Sequence, residues 1–123
     1  MKLLLDTHII LWFLSGDSKI SKEMVEIIAD KSQTKFISMA TLWEVAIKLS
    51  TGKLILSEPI EDYIDGENIK LLPIKLSHVH QIKSLPFYHR DPFDRMLIAQ
   101  AKVENLVLVS EDAQFKNYEV NLF

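Results

Sequence analysis

Short apolar runs alternate along the chain with longer segments of helical periodicity. "KLLLD" at 2–6 and "LVLVS" at 106–110 are near-continuous apolar stretches, the pattern of strands buried in a parallel sheet. "KFIS" at 35–38 and "IKLLP" at 69–73 read as two further strands, and a short last one is expected around "YEVNL" at 118–122. Between them, "THIILWFLSGD" is an apolar helix with a stop at Gly16. "SKEMVEIIADKS" opens on Ser21 as N-cap and sets Met24, Val25, Ile27 and Ile28 at helical spacing. "MATLWEVAIKLSTG" is a helix closed by Gly52, "PIEDYIDG" is a short one, and "LSHVHQIKSLP" carries a weaker helical pattern. In "HRDPFDRMLIAQA", Asp91 before Pro92 reads as an N-cap with proline at the first helical position. Strands separated by crossover-length helical segments predict an α/β layered fold with a mainly parallel sheet.

Length and composition narrow this further. The 123 residues predict a single domain spanning 1–123, and 48% hydrophobic with 25% charged residues is ordinary for a globular protein. No cysteine is present, which excludes disulfides, thiolate metal sites and cysteine nucleophiles. The start, "MKLLLDTHIILWFLSG", imitates a signal peptide, but Asp6 and His8 interrupt its apolar run. No stretch approaches the roughly 20 apolar residues of a membrane span, so the expectation is a cytoplasmic protein with no membrane partner. A net charge of −3 gives bulk electrostatics no role in attracting nucleic acid; a phosphate-rich partner would need a local patch or bound metal ions.

The acids change the picture. Asp6 ends the first strand, Asp112 lies just beyond the fourth, and Asp94 opens the helix leading into the fourth. Ligands of open parallel sheets bind outside the carboxyl ends of the strands, where strand order reverses, and these acids converge on that edge. Each has a structural reading too: Asp6 and Asp112 as caps, and Asp94 as a first-turn acid facing the helix dipole. Phase complicates the last, because Asp94 shares a face with Leu97, Ile98 and Ala101, which must pack inward. Glu44 shares a polar strip with Thr41, Lys48 and Thr51 on an otherwise apolar helix; the strip fits either an exposed Glu44–Lys48 pair or a polar cleft. Two carboxylates about 5 Å apart repel by about 3 kcal/mol at an effective dielectric of 20, so four together stay ionised only beside cations. Oxygen-only ligands favour magnesium or manganese, and such ions suit phosphodiester hydrolysis by activated water.

"LLLDTHIILWFL", "SMATLWEVAIKLSTGKL", "HRDPFDRMLIAQA" and "LVLVSED" resemble, in order and spacing, the motif segments of PIN-domain ribonucleases, in particular VapC-type toxins of toxin-antitoxin pairs. "DPFDRMLIAQA" is the most specific piece. The resemblance implies a PIN-like three-layer α/β/α sandwich and an endoribonuclease dependent on Mg2+ or Mn2+. By position, Asp6, Glu44 and Asp94 match the family's three central acids and Asp112 the more variable fourth, with Glu111 a competitor for that last place. Thr7 and Ser110 correspond to hydroxyls beside the metal site. The resemblance also implies an RNA substrate, a homodimer and a VapB-like antitoxin. "IILWFL", carrying Trp12 and Phe13, fits either a dimer surface or core.

For RNA contacts the candidates are Lys48, His89, Arg90 and Arg95; the best local stretch is "HVHQIKSLPFYHR", where His78, His80, Lys83, His89 and Arg90 mix with Phe87 and Tyr88. A zinc site is not expected from the histidines, since His78 and His80 point to different helix faces. A haloacid-dehalogenase-type phosphatase would want an aspartate where this chain has His8, and a receiver domain would want an aspartate ending a middle strand, which "KFIS" lacks. The standing alternative is a non-catalytic PIN-like module that binds RNA or protein.

Overall fold

A computed structural model describes residues 1–123. The strands are β1 (Lys2–Leu5), β2 (Thr34–Ser38), β3 (Lys70–Leu72), β4 (Val107–Val109) and β5 (Asn121–Leu122). All pair in parallel in the order β3-β2-β1-β4-β5. Between them run helices α1 (Thr7–Ser15), α2 (Lys22–Ala29), α3 (Met39–Ser50), α4 (Ile60–Gly66), α5 (Leu76–Ile82) and α6 (Pro92–Glu104). A 3-10 turn at Ala113–Asn117 precedes β5.

Alternation along the central strands builds a core on each face of the sheet. Leu3, Leu5, Ile37 and Val109 join Ile9 and Ile10 of α1, Met24 and Ile28 of α2, Val45 of α3, and Ile60 and Ile64 of α4. Leu4 and Leu108 point the other way, to Leu97, Ile98 and Ala101 of α6, with Leu85, Phe115 and Tyr118. The result is three layers, α/β/α, as expected. Trp12 and Phe13 are half-buried and pack against the first core.

Local signals account for the boundaries. Ser21 accepts from Met24 N at 3.2 Å to start α2. Gly16, at φ +69°, ends α1 in a left-handed turn that other residues adopt at a cost. α3 ends at Ser50 with Thr51 as C-cap, and Gly52 follows at φ +74°, the left-handed position expected of a closing glycine. The chain leaves β1 in one direction to make β2 and β3, then crosses back to place β4 on β1's other side. Strand order therefore reverses between β1 and β4, which opens a crevice at their carboxyl ends.

Candidate active site

Asp6 follows β1 directly and occupies the N-cap position of α1, yet its side chain makes no capping hydrogen bond. The carboxylate turns instead to the β1/β4 crevice, where Ser110, the first residue after β4, donates its hydroxyl to Asp6 Oδ2 at 2.8 Å. Asp6 Oδ1 is buried without any partner. Burial raises the Asp6 carboxyl above its ordinary range, with the Ser110 hydrogen bond opposing.

Ser38 ends β2 and caps α3 by accepting from Ala40 N at 3.0 Å. This start turns Thr41, Glu44 and Val45 inward, while Trp43 is left 60% exposed and Ile47 and Leu49 also face out. The apolar residues of α3 thus include its outer face, and of the polar strip Thr41 and Glu44 turn inward while Lys48 is half-buried and Thr51 exposed. Glu44 is only 8% exposed; Lys48 Nζ lies 3.3 Å from its Oε2, so the i, i+4 pair forms with a buried acid. Glu44 Oε1 is buried and unpartnered.

Asp91 Oδ1 accepts from Phe93 N at 2.8 Å and from Asp94 N at 3.0 Å, capping α6 as expected. That leaves the Asp94 carboxylate for the crevice. Its Oδ2 lies 2.9 Å from His89 Nε2, which is also 3.0 Å from Asp112 Oδ2. Asp112 Oδ1 caps the following 3-10 turn by accepting from Gln114 N at 2.9 Å, and Asp112 N donates to Ser110 Oγ at 3.0 Å. Burial, reinforced by the charges of Asp6, Asp91, Glu44 and Asp112, pushes the Asp94 carboxyl up to about 8. Asp6, His8, Trp12, Glu111 and Asp112 wall a cleft of about 220 Å³ over this cluster. Between the two neighbouring acids, Asp112 makes the site's hydrogen bonds and Glu111 is exposed.

The donor set can be tested against a cation directly. Two buried carboxylate oxygens, Asp6 Oδ1 and Glu44 Oε1, have no hydrogen-bond donor, and they lie beside an aspartate whose carboxyl is raised by burial and by its acidic neighbours. Hydrogen bonds from protein donors would have satisfied those oxygens; a hard divalent ion does so with oxygen ligands alone. The residues fit such an ion.

The remaining candidates divide. Ser110 touches Asp6, whereas Thr7 Oγ1 reaches Thr41 Oγ1 at 3.1 Å and ties α1 to α3. Of the four cationic candidates for RNA, Arg90 is exposed and Lys48 is paired with Glu44. Arg95 and His89 require correction: neither is presented on the surface. Arg95 is buried, its guanidinium donating to the carbonyls of Pro86 at 2.8 Å and of Ile82, Leu85 and His89 at 3.3 Å. Phe87 covers it at 4.1 Å from ring centroid to Cζ. His89 is drawn into the acid cluster.

The PIN domain model matches residues 3–121, and the chain belongs to that family, whose members are generally nucleases. None of the curated proteins compared matches the sequence. Among solved structures, VapBC2 from Rickettsia felis, bound to a DNA fragment from their promoter, superimposes with a TM-score of 0.69 at 18% identity, covering 100% of this chain and 98% of that one. VapBC-1 from nontypeable Haemophilus influenzae gives 0.64 at 19% identity, covering 100% and 97%. FitAcB from Neisseria gonorrhoeae gives 0.64 at 17% identity, covering 98% and 96%. At these identities the likeness shows a common fold.

Proposed function

We propose that this chain is an endoribonuclease, the toxin of a toxin-antitoxin pair, with Mg2+ or Mn2+ held by Asp6, Glu44, Asp94 and Asp112. The observation that carries the reading is the pair of orphaned buried oxygens, Asp6 Oδ1 and Glu44 Oε1, at the edge where Asp94 and Asp112 also point. A divalent ion bound there supplies an activated water and neutralises charge developing on a phosphodiester. The chain's own groups prepare the place. Ser110 fixes the Asp6 carboxylate, the Asp91 cap presents Asp94, and Lys48 steadies Glu44 from outside the crevice. Asp94 gives up its proton when a cation takes the site, so metal affinity rises with pH toward about 8.

The VapBC and FitAcB likenesses support a VapB-like antitoxin as partner, and we extend the reading to a homodimer acting in the cytoplasm. No helix is long and apolar enough to cross a membrane. Against the alternative of a non-catalytic RNA- or protein-binding module stands the charge of the crevice: clustered acids repel phosphate unless cations bridge them.

The test is cleavage of a mixed RNA pool by the purified chain, freed of any partner, in Mn2+, in Mg2+ and in EDTA, beside Asp94→Asn. Discrete products in metal, absent in EDTA and in the variant, are expected. RNA binding without cleavage under every condition would favour the binding module.

A further inference from the structure

Resting on the metal-centre reading, we propose that His89 is a positioning residue that ties Asp94 to Asp112 through one Nε2–H while staying outside the cation's coordination shell. Histidine beside two carboxylates invites the opposite assignment, a nitrogen ligand. The hydrogen bonds around the ring decide between them. Asp91 N donates to His89 Nδ1 at 3.3 Å, so Nδ1 presents its lone pair and the ring proton belongs on Nε2. Nε2 then faces Asp94 Oδ2 at 2.9 Å and Asp112 Oδ2 at 3.0 Å, both acceptors for that N–H.

For Nε2 to bind a cation, the proton would have to move to Nδ1 and point at the Asp91 amide. That amide is not free to turn away, because Asp91 is anchored as the α6 cap. The ring is not free either. His89 N donates to Tyr118 Oη at 2.7 Å, and the same hydroxyl donates to Pro86 O at 2.8 Å. Arg95 Nη1 donates to His89 O at 3.3 Å, and Phe115 lies against the imidazole at 5.7 Å between centroids. Four groups outside the acid cluster therefore hold one donor between two acids that come from different elements. Buried Arg95, unexplained as an RNA contact, has its purpose here: it fixes the loop that carries His89.

Mn2+ is titrated into wild type, His89→Gln and His89→Ala, with free Mn2+ followed by its electron paramagnetic resonance, and the wild-type complex is examined by electron spin echo for directly bound 14N. Glutamine offers an N–H at the same reach but an amide nitrogen that does not ligate. The expected result is about tenfold or greater loss of affinity in His89→Ala, retention within about threefold in His89→Gln, and no bound imidazole nitrogen. Wild-type affinity in His89→Ala, or a bound imidazole signal in wild type, overturns the proposal. Should His89→Ala fail to fold, His89→Gln and the spin-echo spectrum decide. Absence of any Mn2+ binding by wild type overturns the metal-centre reading itself.

Discussion

Asp94 bears the sharpest electrostatic conflict in the molecule, and it yields a prediction with a definite sign. Its carboxyl sits at about 8 in the folded chain against 3.8 ordinarily, so between those values the folded state holds a proton that the unfolded chain has lost. The contribution to stability is therefore full below about pH 4 and is lost as pH climbs toward 8. Metal-free wild type should melt at progressively lower temperature from pH 5 to 8, and Asp94→Asn should flatten that slope and melt higher at pH 8. Equal slopes would show that Asp94 ionises normally. All four acids were legible in the sequence because each sits where a strand ends or a helix begins or presents a polar strip. His89 and Arg95 were misjudged as surface cations because their partners lie in other elements. Asp112 is 23 residues from His89, and no local pattern announces that contact.

At the scale of elements, α6 shows how a cap and a site can share one turn. Asp91→Ala removes a carboxylate that accepts two backbone N–H groups and should cost about 1 kcal/mol in urea denaturation. Arg95→Lys should cost about 2 kcal/mol or more, because an ammonium cannot reproduce a planar fork on the carbonyls of residues 82, 85, 86 and 89. Unchanged stability with impaired RNA binding would instead restore Arg95 as a surface contact. Helix existence was readable throughout, since periodicity and caps are local. What could not be read is long-range satisfaction. Lys35, the second residue of β2, is buried and donates to Ile28 O at 2.7 Å, closing α2. His78, fully buried in the weakly patterned α5, spans Lys75 N at 3.0 Å and Glu104 at 3.1 Å. The orientation of α3 was left open by its sequence, which is apolar over most of its circumference; packing against α1 and α6 turns Thr41 and Glu44 of the polar strip inward.

Over the whole molecule, parallel pairing and the reversal between β1 and β4 gather residues more than a hundred positions apart, as the Ser110–Asp6 hydrogen bond shows. Parallel strands and their crossovers were legible from the alternation of segments, whereas the strand order and its reversal between β1 and β4 were not, since every parallel strand ends on the same edge. The fold brings the acids together unaided, so the chain carries their mutual repulsion as lost stability. Glu44→Gln removes one charge and should raise the melting temperature of the metal-free chain while removing its response to metal. The most direct measurement is thermal unfolding of the metal-stripped wild type with and without Mn2+ or Mg2+ at pH 8, beside Glu44→Gln. At a hundredfold excess over the dissociation constant, linkage predicts about 2.7 kcal/mol, or about 10 °C for a domain of this size, in wild type and none in the variant. A wild-type melting temperature that neither ion moves would contradict the account.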